Sequence, residues 1–213
     1  MMKKRVALGL ITAMALSTSV ALASPMDMEE GKTNLYFGWT FGGNTDLGGQ
    51  DGKIDGDVGA YLGATYGIND KWGVQLDFNN YAAEEKISRG LKADMDVDVL
   101  EVNAVYKIDQ NLNAFVGYVD ADAELKVTGL GSVSADTDGV HLGVMGSYPL
   151  SDKWGLFGKV ALGNNSEAYE LGVSYNLSDK WGMDLSYRDA EYKDLRGSDI
   201  EVKGIRLGAT TRF

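Results

Sequence analysis

The chain has no cysteine, two prolines and one histidine in 213 residues. Without cysteine there is no disulfide framework and no thiolate metal site, so an exported chain of this kind must be stabilised by its core or its surroundings. The scarcity of proline beside 28 glycines describes a chain with many turns and few breaks inside its elements. A single histidine means that histidine-dependent chemistry would have to pass through His141. Positive charge is also scarce. Twenty basic against 31 acidic side chains give a formal charge of −11, which excludes nucleic acid or a bare anionic surface as an unaided partner.

Long hydrophobic runs are missing as well. The apolar stretch near the N-terminus is short and broken by Thr12, Ser17, Thr18 and Ser19, unlike a bilayer-spanning helix of about 20 residues. With the basic start Lys3, Lys4 and Arg5 and the small residues Ala21-Leu22-Ala23, it reads as a secretory signal peptide over 1–23, cleaved after Ala23 in export through the Sec pathway. The 190 residues left carry 31 acidic and 17 of the 20 basic side chains, a formal charge of −14, and suit one domain. Residues 24–32 are expected to form a short periplasmic segment and 33–213 the folded domain.

What is present in abundance is a repeated turn. It runs Tyr66-Gly-Ile-Asn-Asp-Lys-Trp, Tyr106-Lys-Ile-Asp-Gln-Asn-Leu, Tyr148-Pro-Leu-Ser-Asp-Lys-Trp and Tyr175-Asn-Leu-Ser-Asp-Lys-Trp. Each copy is an aromatic, an aliphatic, a polar tight turn and an apolar restart. Asn, Asp and Ser favour such turns because their side chains bond to nearby backbone groups. The intervals between copies are each long enough for one strand out, a loop and one strand back.

Within the intervals the hydrophobic period is two, the mark of strands with two chemically different faces. Ile205, Leu207, Ala209, Thr211 and Phe213 alternate with Gly204, Arg206, Gly208, Thr210 and Arg212, and Trp72, Val74, Leu76 and Phe78 alternate with Gly73, Gln75, Asp77 and Asn79. The same holds around Leu35, Leu62, Leu100, Leu171 and Leu185. One face is consistently apolar, while the other mixes glycines with single charges, as in a narrow, crowded lumen rather than a water-exposed sheet. Tyr66, Tyr106, Tyr148 and Tyr175 just before the turns, with Trp72, Trp154 and Trp181 just after them, would form an aromatic girdle at one rim. A bilayer interface favours that arrangement, and a soluble core has no use for it.

These features predict an all-β fold, a transmembrane up-and-down antiparallel β-barrel of ten strands, with eight as the alternative count. The expected strands are 33–41, 57–68, 71–82, 94–108, 112–125, 138–149, 154–163, 168–177, 181–193 and 200–213. The loops are expected at 42–56, 83–93 and 126–137, with a tight hairpin at 164–167. After Leu112 two parities compete for the lipid face, Ala114, Val116 and Tyr118 against Phe115, Val119 and Ala121, and a bulge there would reconcile them.

The signal peptide, the segments "WGLFGKVALG" and "YELGVSYNLSDKWGMDLSYR", and the ending "GIRLGATTRF" resemble the OmpA-like and porin-family small barrels of Gram-negative outer membranes. The resemblance covers nearly the whole exported chain in pattern and its last third in wording. It implies that Phe213 is the assembly signal read by the barrel assembly machinery of the outer membrane. It also implies lipid and lipopolysaccharide as surroundings. The sequence offers no C-terminal peptidoglycan-binding domain after Phe213, so a wall-anchoring role is not expected. OmpA-type barrels have eight strands, so ten would require an extra hairpin within 112–149.

The charged lumen candidates are Asp77, Glu101, Lys107, Lys159, Glu170, Asp184, Arg188, Arg206 and Arg212, read either as a structural salt-bridge network or as the lining of a pore. Asp46, Asp51, Asp55 and Asp57 lie among glycines in the first loop, and Asp51, Asp55 and Asp57 form a weak Ca²⁺ candidate. The EF-hand spacing closed by a later Glu is absent, so no metal site is assigned. Asp94, Asp96 and Asp98 read as a second acidic surface, able to bridge through divalent cations to lipopolysaccharide phosphates. Ten-stranded omptin-like proteases and lipid A deacylases use histidine, yet no nucleophile or acid stands at a matching distance from His141. The expected function is therefore a small porin or structural surface protein and not an enzyme. Adhesion or ligand binding through the loops is the main alternative, and catalysis by His141 comes third. No cofactor is called for. A small solute or an extracellular ligand is the expected binding partner, and nucleic acid is not.

Overall fold

The computed structural model describes residues 24–47, 53–54, 56–88 and 91–213, with side chains described outside 43–55 and 86–91. The expected signal peptide lies outside the described residues, as do Asp51, Asp55 and the Asp46 side chain. The strands are β1 (Thr33–Leu47), β2 (Lys53–Ile54), β3 (Gly59–Gly67), β4 (Trp72–Ser88), β5 (Leu91–Lys107), β6 (Leu112–Val127), β7 (Gly131–Pro149), β8 (Trp154–Gly163), β9 (Ser166–Asn176), β10 (Trp181–Leu195) and β11 (Ser198–Arg212). Each neighbouring pair is antiparallel, and β1 pairs with β11. The sheet is thereby closed, which removes the free edges of the membrane-level ring. The two-residue β2 only flanks β1, so ten staves make the barrel, as the four turns predict.

The repeated turn has one geometry. Asn69 Oδ1 accepts the N–H groups of Lys71 and Trp72, and Asp109 Oδ1 accepts those of Asn111 and Leu112. Ser151 and Ser178 use their Oγ atoms on Lys153 and Trp154 and on Lys180 and Trp181. In each copy the aliphatic residue and the capping residue also donate their N–H to the carbonyl of the restarting residue, as Ile68 and Asn69 do to Trp72. All four turns therefore lie at one end, the turn side.

Outward from the barrel, alternate residues form an apolar belt: Trp72, Val74, Leu76 and Phe78 on β4, Leu100, Val102 and Tyr106 on β5, and Met183, Leu185 and Tyr187 on β10 are all exposed. Exposure of this many large apolar side chains is paid back only by lipid. The girdle aromatics sit on this outer face near the turns, and Trp72 packs edge-on against Tyr106 with ring centroids 4.9 Å apart, as Trp154 does obliquely against Tyr175 at 4.8 Å.

Two expectations require correction. The expected loops are partly strand: β1 runs past 41 to Leu47 and β2 lies within 42–56, while 83–93 and 126–137 are largely strand, with β4 and β5 continuing to Ser88 and from Leu91, and β6 and β7 to Val127 and from Gly131. Pairing continues because the alternation continues with its parity reversed. Above the belt the apolar residues Tyr81, Ala83, Met95, Val97, Val99, Val119, Ala121 and Ala123 point inward and are buried, while Asp94, Asp96, Asp98, Asp120, Asp122 and Glu124 point outward. No bulge is needed after Leu112. The pairing of β6 with both neighbours is continuous, with Ala114, Val116 and Tyr118 outward and Phe115, Val119 and Ala121 inward. The competing parities mark the same reversal.

Candidate functional site: a filled lumen and an acidic outer collar

The lumen consists of three layers. On the turn side, residues 24–32 fold back into the mouth of the barrel. Asn34 Nδ2 donates to the Ser24 carbonyl at 2.6 Å, Asn113 Nδ2 to that of Met26 at 3.0 Å, and Lys107 Nζ to that of Met28 at 3.2 Å. Arg212 holds Asp27 at 2.7 Å, and Ser147 Oγ donates to the same carboxylate. Burial pushes the Asp27 carboxyl above its ordinary range, and the Arg212 guanidinium pulls against that. Met26 and Met28 are buried. Gly67 and Gly73 make room for the segment, since a Cβ on either would meet the Glu29 carbonyl at 2.1 Å or the Met28 sulfur at 2.4 Å.

The middle layer is ionic. Lys159, 3% exposed, lies between Glu101 Oε2 at 2.7 Å and Asp77 Oδ2 at 3.2 Å. Arg188 bonds Glu101 Oε1 at 2.6 Å and approaches Glu170 at 3.5 Å, and Arg206 reaches Glu170 at 2.8 Å. The Arg206 guanidinium also stacks 3.5 Å over the Tyr61 ring, whose hydroxyl donates to Asp184 at 3.0 Å. Tyr36 donates to Asp77 and accepts from Gln75 Nε2, which leads through Gln75 Oε1 to Asn103 and on to His141. A buried charge needs a partner, and each of these has one. The space left against the N-terminal segment is about 10 Å³, lined among others by Met26, Tyr36, Asp77 and Arg206, room for about one water.

The third layer, on the loop side, is the inward apolar set of the reversed alternation, to which Ala190, Tyr192, Ile200 and Val202 contribute from β10 and β11. It lies on the loop side of the ionic layer.

Seven of the nine expected lumen charges meet in the ionic layer. Lys107 and Arg212 sit instead at the turn-side mouth, on the N-terminal segment. The sequence gives no indication of that segment's position, because Asp27 and Glu29 look like solvated charges until their partners are placed. His141 is 2% exposed, with Nε2 2.6 Å from Asn103 Oδ1 and its ring edge-on to Phe115. Asp57 is exposed and accepts only the N–H of Val58 among the bonds described. Among the described residues no three metal-ligating side chains converge.

Outside, above the belt, the acidic residues align laterally. Asp98 is the pairing neighbour of Asp122 and Asp122 of Asp136, and Asp120 is that of Asp138. Lys92 and Lys126 are the basic residues on this face of β5 and β6, engaged with Glu84 and Glu124.

No curated protein matches the sequence. Among solved structures the chain is similar to Neisserial surface protein A, with 16% identity, a TM-score of 0.50, and coverage of 86% of this chain and 98% of that one. It is also similar to the attachment invasion locus protein Ail of Yersinia pestis in complex with the heparin analogue sucrose octasulfate, at 18% and 0.50, covering 87% and 100%. The outer membrane protease OmpT of Escherichia coli matches at 8% identity and a TM-score of 0.56, covering 85% and 96%. At these identities the likeness concerns the fold. The family model of the outer membrane protein beta-barrel domain matches residues 8–162, and the chain, with its lipid belt and closed ten-stave barrel, belongs to that family.

Proposed function

We propose that this outer-membrane barrel is sealed and acts at the cell surface, through the sheet that β4, β5, β6 and β7 raise above the lipid belt. The observation that carries the reading is the filled lumen: a seated N-terminal segment, a paired ionic layer and an apolar layer lie in series. A porin would have to displace all three. The raised sheet is tall, since β5 from Val99 to Leu91 adds roughly 25 Å of strand at about 3.3 Å per residue, and its outer face is acidic. That charge disfavours polyanions of the sucrose octasulfate type and favours cationic partners or divalent-cation bridges to lipopolysaccharide.

Catalysis is not part of this reading. His141 is enclosed in the lumen between Asn103 and Phe115, where no external substrate reaches it. Export of the chain through the Sec pathway, with cleavage after Ala23, belongs to the same proposal. So does reading of Phe213 by the assembly machinery, a role that suits its exposed ring and its place on the closing seam, where it exchanges backbone hydrogen bonds with Thr33 at 2.8 and 3.1 Å. The test is planar-bilayer recording of the refolded chain lacking residues 1–23. The expected result is a silent membrane, and reproducible unitary currents would refute the sealed barrel.

A further inference from the structure

The first residues of the seated N-terminal segment, Ser24 and Pro25, are buried in the barrel mouth. A tight turn forms there. Asp27 donates its N–H to the Ser24 carbonyl at 3.1 Å, Met26 donates its N–H to Ser24 Oγ at 3.2 Å, and Ser24 N donates to Asp27 Oδ2 at 3.3 Å. Four staves fix this turn. Asn34 on β1 holds the Ser24 carbonyl, Asn113 on β6 holds that of Met26, and Ser147 on β7 and Arg212 on β11 hold the Asp27 carboxylate. The Ser24 nitrogen is thus aimed at Asp27 by contacts of residues 24–27 and the barrel.

Asp27 shares its cation. Arg212 lies 2.7 Å from Asp27 and also reaches Glu29 at 3.3 Å, while Lys32 turns to Glu29 and Lys107 to the Met28 carbonyl. Burial holds the Asp27 carboxyl above its ordinary range in spite of Arg212, so its ionised form gains from a second positive charge. The Ser24 nitrogen can become one. Joined to Ala23 it is an amide with a single N–H. On hydrolysis of the Ala23–Ser24 bond, water supplies the oxygen of a new Ala23 carboxylate, and the Ser24 nitrogen leaves as an α-amine that is protonated at neutral pH. A full charge and three donors then stand where one amide donor stood.

We propose that removal of the signal peptide locks this segment in its seat: the α-ammonium that cleavage creates on Ser24 pairs with Asp27 inside the barrel mouth. The inference rests on the proposed cleavage after Ala23. It makes the turn-side layer of the lumen a device that responds to maturation of the chain. In the precursor the turn is held by neutral hydrogen bonds and by Arg212. In the mature chain the same turn gains an ion pair, enclosed by protein where such a bond is stronger than in water. Departure of the segment from the mouth becomes rarer by the strength of one charge-assisted bond, a factor of about ten or more. An N-terminus lying in solvent would gain little from the same pairing.

The test compares two forms of the chain lacking residues 1–23, refolded into phosphatidylcholine vesicles. One has a free Ser24 amine. The other is Nα-acetylated by co-expression with an N-terminal acetyltransferase, which keeps an amide N–H at Ser24 and removes the charge. Oxidation of Met26 and Met28 by dilute peroxide, read by mass spectrometry, reports how often the segment leaves its seat. The acetylated form should be oxidised about tenfold faster. With Asp27→Asn in both forms, acetylation should change the rate by less than about twofold, because its partner is gone. Equal oxidation of the free and acetylated forms, or the same effect of acetylation with and without Asp27, would overturn the lock. A measurement on the parent alone needs no variant: an N-hydroxysuccinimide ester should acylate the Ser24 amine at least about tenfold more slowly in the folded barrel than in the chain unfolded by guanidinium chloride. Equal rates would overturn the buried ammonium. N-terminal sequencing of the protein from outer membranes addresses the other premise, and a start other than Ser24 would refute cleavage after Ala23, whatever the refolded chains do.

Discussion

Replacing Lys159 with Met tests whether the ionic layer is a coupled structure. The ammonium is buried and bridges Glu101 at 2.7 Å and Asp77 at 3.2 Å. Its layer holds four carboxylates, Asp77, Glu101, Glu170 and Asp184, against the three cations Lys159, Arg188 and Arg206, a formal −1. Methionine fits the space beside Phe115, over which the ammonium lies 5.2 Å from the ring centroid, so the loss is one of charge. The layer becomes −2, and Asp77 keeps only the Tyr36 hydroxyl and its surroundings. Removing one partner of a buried pair costs about 3–5 kcal/mol. Adding Asp77→Asn returns the layer to −1 while Arg188 keeps Glu101, so the double variant should recover about 2 kcal/mol of that loss. Urea titration in phosphatidylcholine vesicles, followed by tryptophan fluorescence and by mobility of unboiled samples on gels, measures both. A single variant within about 1 kcal/mol of the parent, or a double variant no better than the single, would refute a coupled network.

Leu185 lies on the outer face level with Leu207 and Val173, so Leu185→Arg places a charge in mid-bilayer and should cost about 2–4 kcal/mol in vesicles; an unchanged urea midpoint would contradict the lipid assignment. A Cβ on Gly63 would stand 2.2 Å from the Tyr36 ring, so Gly63→Val should destabilise by about 1–3 kcal/mol, and the additional change Tyr36→Leu should relieve part of it in the same titration. Asp27→Ala removes the carboxylate that Arg212 and Ser147 hold, so Met26 and Met28 should become oxidisable by peroxide at rates nearer those of free methionine. Mass spectrometry reads this directly, and unchanged protection would mean that the segment is seated without Asp27.

The barrel and its strand count were legible because the chain repeats one turn four times and each turn is capped by its own Asn, Asp or Ser. The lumen charges were legible for a related reason: the alternation is strict, so a charge such as Glu101 between Leu100 and Val102 has only one face to occupy. Their pairing was not legible. Arg188 finds Glu101 across the lumen, and nothing local in the sequence encodes that contact. Loop boundaries failed where chemistry was mistaken for the end of a strand. In "ADMDVDVLEVNAVY" the apolar residues shift from odd positions, Ala93 to Val99, to even ones, Leu100 to Tyr106. That shift is where β5 leaves the hydrocarbon and becomes an ordinary water-exposed sheet. The same shift recurs near Phe78 on β4 and Tyr118 on β6, and reading it as a change of solvent would have predicted the raised sheet.

The acidic collar carries a cost that the fold itself does not require. Asp122 has Asp98 directly opposite on one side and Asp136 on the other, and like charges in opposed positions destabilise a sheet by roughly 0.2–1 kcal/mol per pair. Asn at the same place keeps the size and the strand geometry and removes both repulsions, so Asp122→Asn should stabilise the barrel by about 0.5–1 kcal/mol at low ionic strength. Salt should narrow the difference, since exposed charges are screened at about 10 Å in 0.1 M salt. If the collar is kept for recognition of cationic partners, the stabilised variant should bind a short peptide alternating Lys with Thr less tightly than the parent, an exchange of function for stability. The two measurements are independent. Greater stability with unchanged binding would detach Asp122 from recognition, and lower stability at low salt would mean that the row is held together by something other than the charges named here, with bound divalent cations, removable by chelator, as the first alternative to examine.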